Sequence, residues 1–147
     1  MKKLVIGLVI VSLLILAGCG KITYKDYQDG NLQVKYPDWS LDGGTDDVSV
    51  TGNNCQVRIN VENPNYLGAD LKNVVDTFVV PPLEQLGLTA NTQKLSDTEV
   101  LIELKGPSSV GKQKYIVCDK KVFKVSAGCV KDNPLIDEVI NSASCAA

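Results

Sequence analysis

The side chains that most often carry chemistry are unevenly represented in this 147-residue chain, which has five cysteines and no histidine. Without histidine, the Ser-His-Asp and Cys-His arrangements of nucleophilic catalysis are excluded. Zinc sites are usually built from closely spaced ligand pairs, and no C-x-x-C pair occurs among Cys55, Cys118, Cys129 and Cys145. We therefore predict no catalytic residue, no metal site and no cofactor.

Two short motifs resemble catalytic signatures but lack essential parts. Gly106–Gln113 nearly matches the phosphate-binding pattern G-x4-G-K-[ST], but Gln113 replaces the hydroxyl residue that binds magnesium. A strand is expected after it, whereas phosphate binding needs a helix N-terminus. Ser109–Lys112 fits the S-x-x-K pattern of penicillin-recognising enzymes, but that serine should begin a helix. We interpret the whole segment as a hairpin loop.

Acidic residues are densest at Asp42, Asp46 and Asp47. Their spacing differs from the D-x-D-x-D-G order of a calcium loop, so we interpret them as part of a solvated loop. A pair of carboxylates of the kind that glycosidases use stays open as an alternative, because only the fold determines their separation.

The N-terminal segment has the layout of a secretory signal. Two lysines precede an apolar run over Leu4–Leu16, which is shorter than the ~20 residues of a membrane-spanning helix. The next residues, Leu16–Cys19, resemble the lipobox of prokaryotic lipoproteins. That resemblance implies cleavage between Gly18 and Cys19 and attachment of diacylglycerol to Cys19. A plain signal peptide and an uncleaved membrane anchor are the alternatives.

The four other cysteines predict two disulfides in an exported domain, with reduced, buried thiols as the alternative. Four cysteines allow three pairings. The strand that ends at Cys129 should rise ~23 Å from its hairpin turn, and the last helix should return by ~15 Å. Cys145 would then lie nearer to the Cys118 end of that strand than Cys129 does. We predict the pairs Cys118–Cys145 and Cys55–Cys129.

Charge and length limit the partners and the number of domains. Removal of residues 1–18 takes away two of the 15 Lys+Arg residues and none of the 17 Asp+Glu residues, so the mature chain is acidic. No run of basic residues appears, which argues against nucleic acid as a partner. We predict a lipidated N-terminus and tether over residues 19–30 and a single domain over residues 31–147.

Hydrophobic periodicity predicts an α+β fold. Residues alternate as in half-buried strands over 32–36, 48–51, 55–62, 88–94, 98–105, 112–118 and 122–129. Helical spacing begins after Gly68 and is expected to end at Pro81-Pro82, with one separate further turn over Leu83–Leu86 capped by Gly87. A second helix should start with Asn133 as its cap and Pro134 in its first position. Because strands and helices do not alternate, we expect a twisted, mainly antiparallel sheet with two amphipathic helices packed on it.

Three segments resemble the PsbP-like family. Gly30–Trp39 resembles its opening strand, Tyr115–Val125 its last hairpin and Leu135–Ser142 its closing helix. The resemblance implies an α/β/α sandwich, and it implies a binding or accessory role, since most members are not enzymes.

Together these observations predict an extracytoplasmic lipoprotein of the cell envelope, anchored to the membrane by lipid, with no enzymatic activity. It would act as a binding or accessory module for an unidentified protein or small molecule. The alternatives are an envelope hydrolase that uses two carboxylates with raised pKa values and a purely structural envelope component.

Overall fold

The computed structural model describes residues 21–29, 31–41, 47–62, 66 and 68–146. The secretory segment and Cys19 lie outside these residues, as do Asp42 and Asp46. The strands of the described part are β1 (Tyr24–Asp29), β2 (Leu32–Pro37), β3 (Val48–Gly52), β4 (Cys55–Val61), β5 (Thr89–Ser96), β6 (Glu99–Lys105), β7 (Val110–Cys118), β8 (Lys121–Cys129) and β9 (Ser144–Cys145).

Two helices accompany these strands in the part of the chain that is described. Helix α1 runs through three consecutive segments: an α-helical turn at Leu71–Val74, a π-helical turn at Val75–Val79 and an α-helical segment at Val80–Gln85. Helix α2 spans Pro134–Ser142, with the side chain of Asn133 accepting a hydrogen bond from the Leu135 amide. The predicted cap and first residue of α2 are therefore confirmed.

The strands form two antiparallel sheets. The larger has six strands in the order β3-β4-β8-β7-β6-β5, and the smaller has three in the order β1-β2-β9. Every strand pair is antiparallel. The prediction of a mainly antiparallel α+β fold with two helices packed on it is confirmed.

The two faces of the six-stranded sheet are covered differently. On one, which we call face A, Phe123 and Val125 pack with α2 and with the smaller sheet through Leu32. On the other, face B, Leu71 and Val75 of α1 pack against a separate cluster of Val100, Ile102, Tyr115 and Val122. The sheet thus lies between α1 on one side and α2 with the small sheet on the other.

The predicted tether over residues 19–30 is wrong for its second half, because Tyr24–Asp29 forms strand β1 and pairs with β2. Its sequence lacks strand alternation, since the two aromatic positions, Tyr24 and Tyr27, are three residues apart. The Tyr24 hydroxyl donates to Glu138 of α2. Burial and this hydrogen bond raise the pKa of Tyr24 to about 12, so the phenol stays neutral at physiological pH.

The prediction that the first helix ends at Pro81-Pro82 is also wrong. The helix continues to Gln85, and Pro81 and Pro82 follow Val80 in its last segment. Inside a helix each proline removes one backbone hydrogen bond. The preceding π-helical turn resets the hydrogen-bonding pattern, which allows the chain to pass the prolines without unwinding.

The structure joins Cys55 to Cys129 and Cys118 to Cys145, which agrees with the pairing predicted from the sequence. Cys55 and Cys129 face each other on the adjacent strands β4 and β8. Cys145 lies on β9, which pairs with β2, so its bridge to β7 connects the two sheets.

A buried lysine supports the connection between β7 and the end of α2. Lys114 is only 8% exposed, and its ammonium donates to the Ala143 carbonyl oxygen at 2.7 Å. Glu99 lies 3.4 Å from the same nitrogen. A buried ammonium needs such partners, because an unpaired charge would be strongly destabilising.

We expect Lys114→Met to lower the free energy of unfolding by about 1–3 kcal/mol, since the Ala143 carbonyl and Glu99 lose their charged donor. Lys112→Met is the matched control on the same strand and face. Lys112 pairs with Asp137 and Glu103 at the surface, so its loss should cost about 0–1 kcal/mol. Urea denaturation of both variants measures the difference, and equal losses would contradict a structural role for Lys114.

Candidate binding groove

The half of face B that α1 leaves uncovered carries polar side chains. Helix α1 contacts β5 and β6, and its apolar side packs on Tyr115 of β7 and Val122 of β8. The other ends of β7 and β8, together with β4, form the half of face B that α1 leaves uncovered. Alternation places Gln56, Arg58 and Asn60 of β4 on this face, opposite Gly128, Ser126 and Lys124 of β8. Along each strand they alternate with the apolar residues that face α2. One strand therefore supplies polar side chains to face B and apolar side chains to face A.

These polar rows line a groove of about 410 Å³. Its walls are completed by Leu88 and Leu104 near the end of α1, and by Asn54 and Val130 at one end. The Val130 amide donates to the Asn54 carbonyl oxygen at 3.0 Å, which holds these two loops together. The volume falls within the range of about 300–1,000 Å³ that is typical of sites for small ligands.

Two glycines form the floor of the groove. Gly111 of β7 and Gly128 of β8 are directly opposite each other. A Cβ atom at Gly111 would lie 2.8 Å from the Ala127 carbonyl oxygen and 3.0 Å from the Gly128 Cα, which is too close. At Gly128, the nearest atom to a Cβ would be the Val110 carbonyl oxygen at 3.5 Å, an ordinary contact. Gly111 is thus required by packing, whereas Gly128 keeps the groove deep.

The charged side chains of β4 and β8 that line the groove are both cationic. Arg58 is the single arginine of the chain, and Lys124 lies on the next strand. The Lys124 ammonium is 3.2 Å from Glu62, whose carboxylate also accepts a hydrogen bond from the Asn60 amide nitrogen at 2.7 Å. No carboxylate is among the described residues that line this groove. The charged side chains that these two strands present to the groove are therefore cationic, and Lys124 is already paired with Glu62.

Two buried acceptors lie along the same surface. The side-chain oxygens of Asn60 and Gln113 are buried, and neither has a hydrogen-bond partner among the described residues. Buried polar atoms are normally paired, and an unpaired one costs about 1–3 kcal/mol. Both oxygens are enclosed by neighbouring protein atoms and are not exposed to the groove.

A second cleft, of about 340 Å³, lies between α2 and the β5–β7 strands and contains carboxylates. Lys112 bridges two of them, with its nitrogen 2.8 Å from Asp137 and 3.6 Å from Glu103. The hydrogen bond to Asp137 is the main cause that raises the pKa of Lys112. Both carboxylates are more than half exposed. This arrangement is a surface ion-pair network, in which the ammonium already engages the two acids.

The motif residues identified in the sequence do not have the structural surroundings that their motifs require. Gly111 and Lys112 belong to strand β7, so the phosphate-loop pattern does not precede a helix. Ser109 lies in the preceding loop, where its carbonyl oxygen accepts a hydrogen bond from the Gly106 amide. Asp47 accepts a hydrogen bond from the Tyr27 hydroxyl at 3.1 Å. Across the described ranges, the His, Cys, Asp and Glu residues form no cluster suited to a metal ion.

The groove itself was not predicted from the sequence. Its polar residues alternate with core positions and look like any solvated side of a strand. A usable signal was Gly128 inside one predicted strand and Gly111 immediately before the other, because glycine in a strand often marks a close approach of another backbone or a ligand. A search for membrane-spanning helices found none within the part of the chain that the structure describes.

Comparisons with known proteins support the fold. A scan against protein-family models gives no match, and a search of curated proteins also gives none. Among solved structures, the chain is similar to the solution structure of cyanobacterial PsbP (CyanoP) from Synechocystis sp. PCC 6803, with a TM-score of 0.55 and 13% sequence identity. The match covers 87% of this chain and 95% of the cyanobacterial chain. At this identity the likeness shows the fold alone, and this chain has a PsbP-like α+β fold.

Proposed function

We propose that this protein is a membrane-tethered extracytoplasmic accessory protein that binds its ligand in the groove on face B. The observation that carries this proposal is the groove of about 410 Å³, where a six-stranded sheet left half covered by α1 presents a glycine floor lined by cationic, amide and hydroxyl side chains. A concave surface of this volume is typical of sites for small ligands.

The tethered location rests on the sequence and is supported by the two disulfides. The lipobox-like residues Leu16–Cys19 provide the anchor in this proposal, and disulfides persist mainly in oxidising compartments outside the cytoplasm. Two acyl chains hold a protein firmly, whereas one is marginal. Because β1 begins at Tyr24, the link from Cys19 extends at most about 18 Å. The folded domain would therefore stay close to the bilayer.

A non-enzymatic role fits the chemistry of both clefts. The groove on face B contains cations, amides and hydroxyls, but no acid or base positioned against a nucleophile. The second cleft holds Glu103 and Asp137, but both already engage the Lys112 ammonium. A glycosidase needs two carboxyl groups that are available to act on the substrate. We therefore favour binding over hydrolysis and over a purely structural role.

The anchor is tested by metabolic labelling with a radioactive fatty acid in a bacterial host that processes lipoproteins. We expect the wild-type chain to be labelled and to partition into detergent, and Cys19→Ser to lose both properties. Cys145→Ser serves as a control for a cysteine outside the lipobox, and it should remain labelled. Label on the Cys19→Ser chain would contradict the anchor.

The groove is tested by placing a photo-crosslinking amino acid at Ser126, in the groove, and separately at Gln93, an exposed position on face A. We expect a specific adduct in intact cells from position 126 only. Adding Gly128→Leu should abolish it, because the new side chain fills the floor while the backbone accepts a Cβ there.

The melting temperature of the Gly128→Leu variant shows whether the fold is retained. An adduct that survives in a folded Gly128→Leu variant, or one that forms equally at position 93, would contradict a ligand site on face B.

A further inference from the structure

Resting on the membrane tether of the proposed function, we infer that the end of the domain carrying Leu86 and Val130 lies against the surface of the lipid bilayer. We call it the anchor end, and we define it by the residues that pair in one row at the ends of the six strands. The row consists of Gly52, Cys55, Cys129, Val110, Lys105 and Thr89.

The first strand of the domain begins at the anchor end. Tyr24, the first residue of β1, pairs with Pro37, whose carbonyl oxygen accepts a hydrogen bond from the Trp39 amide at 2.8 Å. The Trp39 ring packs over Gly52 of the row, where a Cβ atom would lie 2.6 Å from it. The chain that leads from the lipid site therefore enters the domain beside this row.

The link from the lipid site to this end is short. Ile22 already packs against the core on face A, and it is the third residue after Cys19. Three residues span at most about 11 Å. The opposite end of the sheet is farther away by the length of a strand, which is ~23 Å for the seven residues of β4. A lipid on Cys19 would therefore hold the anchor end nearest the bilayer.

Two large apolar side chains are exposed at the anchor end. Leu86, which follows the last residue of α1, is 77% exposed, and Val130, which follows Cys129, is 55% exposed. Exposed apolar side chains that lie together mark contacts with a partner protein or a membrane. The bilayer is the partner that the tether itself brings within reach, and its interfacial region accepts such side chains.

Exposed lysines accompany these apolar residues. Lys105 and Lys131 lie at the anchor end and Lys21 lies in the link, and none of the three forms an ion pair among the described residues. Lysine stems can rest on an apolar surface while their ammonium groups meet anionic lipid phosphates. Glu84 and Asp132 lie at the same end, so charge gives a small net attraction and apolar contact provides most of the binding.

The first experiment uses the full lipidated chain in vesicles of phosphatidylcholine and phosphatidylglycerol that contain radiolabelled phospholipid. A photo-crosslinking amino acid replaces Leu86 or, as the matched control, Leu95, which is 44% exposed near the opposite end of β5. We expect at least about tenfold more lipid adduct from position 86, a ratio that corresponds to burying one leucine side chain.

The single tryptophan provides an independent measure. Because Trp39 lies at the anchor end, phospholipids brominated near the headgroup should quench its fluorescence. The double variant Leu86→Asp, Val130→Asp should show quenching reduced at least about twofold, since charged side chains do not enter the interface as apolar ones do. Val61→Asp, at the opposite end of β4, should leave the quenching unchanged. Circular dichroism checks that each variant is folded.

Three results would overturn the inference: equal lipid adducts from positions 86 and 95, unchanged quenching in the folded double variant, or adducts at position 86 that join two copies of the chain. If the protein nevertheless floats with the vesicles, the tether of the proposed function stands and only the membrane contact is wrong. If the wild-type chain does not float with them, the tether fails and the inference fails with it.

Discussion

Side-chain alternation in the six-stranded sheet is the constraint on which the rest of the molecule depends. Each strand must serve two faces at once, because successive side chains point in opposite directions. On face A the apolar positions are concentrated on β3, β4, β8 and part of β7, where α2 and the small sheet cover them. On face B the apolar positions are confined to the half beneath α1, where Val100 and Ile102 are fully buried. The other half carries polar side chains, and the groove follows from this division.

The same strands that form the groove are tied together on their opposite face. Cys55 and Cys129 are paired on face A at the end where Asn54 and Val130 close the groove. A bridge between two adjacent strands, together with the hydrogen bond between the two loops, fixes the spacing of β4 and β8 at this point. The side chains of the groove thus project from strands whose relative position is constrained, so the site would lose less conformational freedom when a ligand binds.

Much of the fold was predictable because its strands alternate strictly and its second helix has a strong cap. The pairing of the four cysteines also followed from the lengths of one strand and one helix. Strand β1 was not predictable, since its two tyrosines are not spaced as strand neighbours and its other residues are polar. The passage of α1 through Pro81 and Pro82 depends on a π-helical turn, which has no local sequence signature. The groove could not be predicted, because it depends on how far along the sheet α1 extends, and this is set by tertiary packing.

The central claim is that the groove on face B, which Arg58 lines, holds a ligand when the protein is in its native envelope. As the chain has one arginine, an arginine-specific dicarbonyl reagent followed by intact-mass measurement reports on this residue alone. We expect modification in intact envelopes to be at least about tenfold slower than in the protein purified away from its ligand, since a ligand in the groove would cover this side chain. Equal rates in the two preparations would contradict the account.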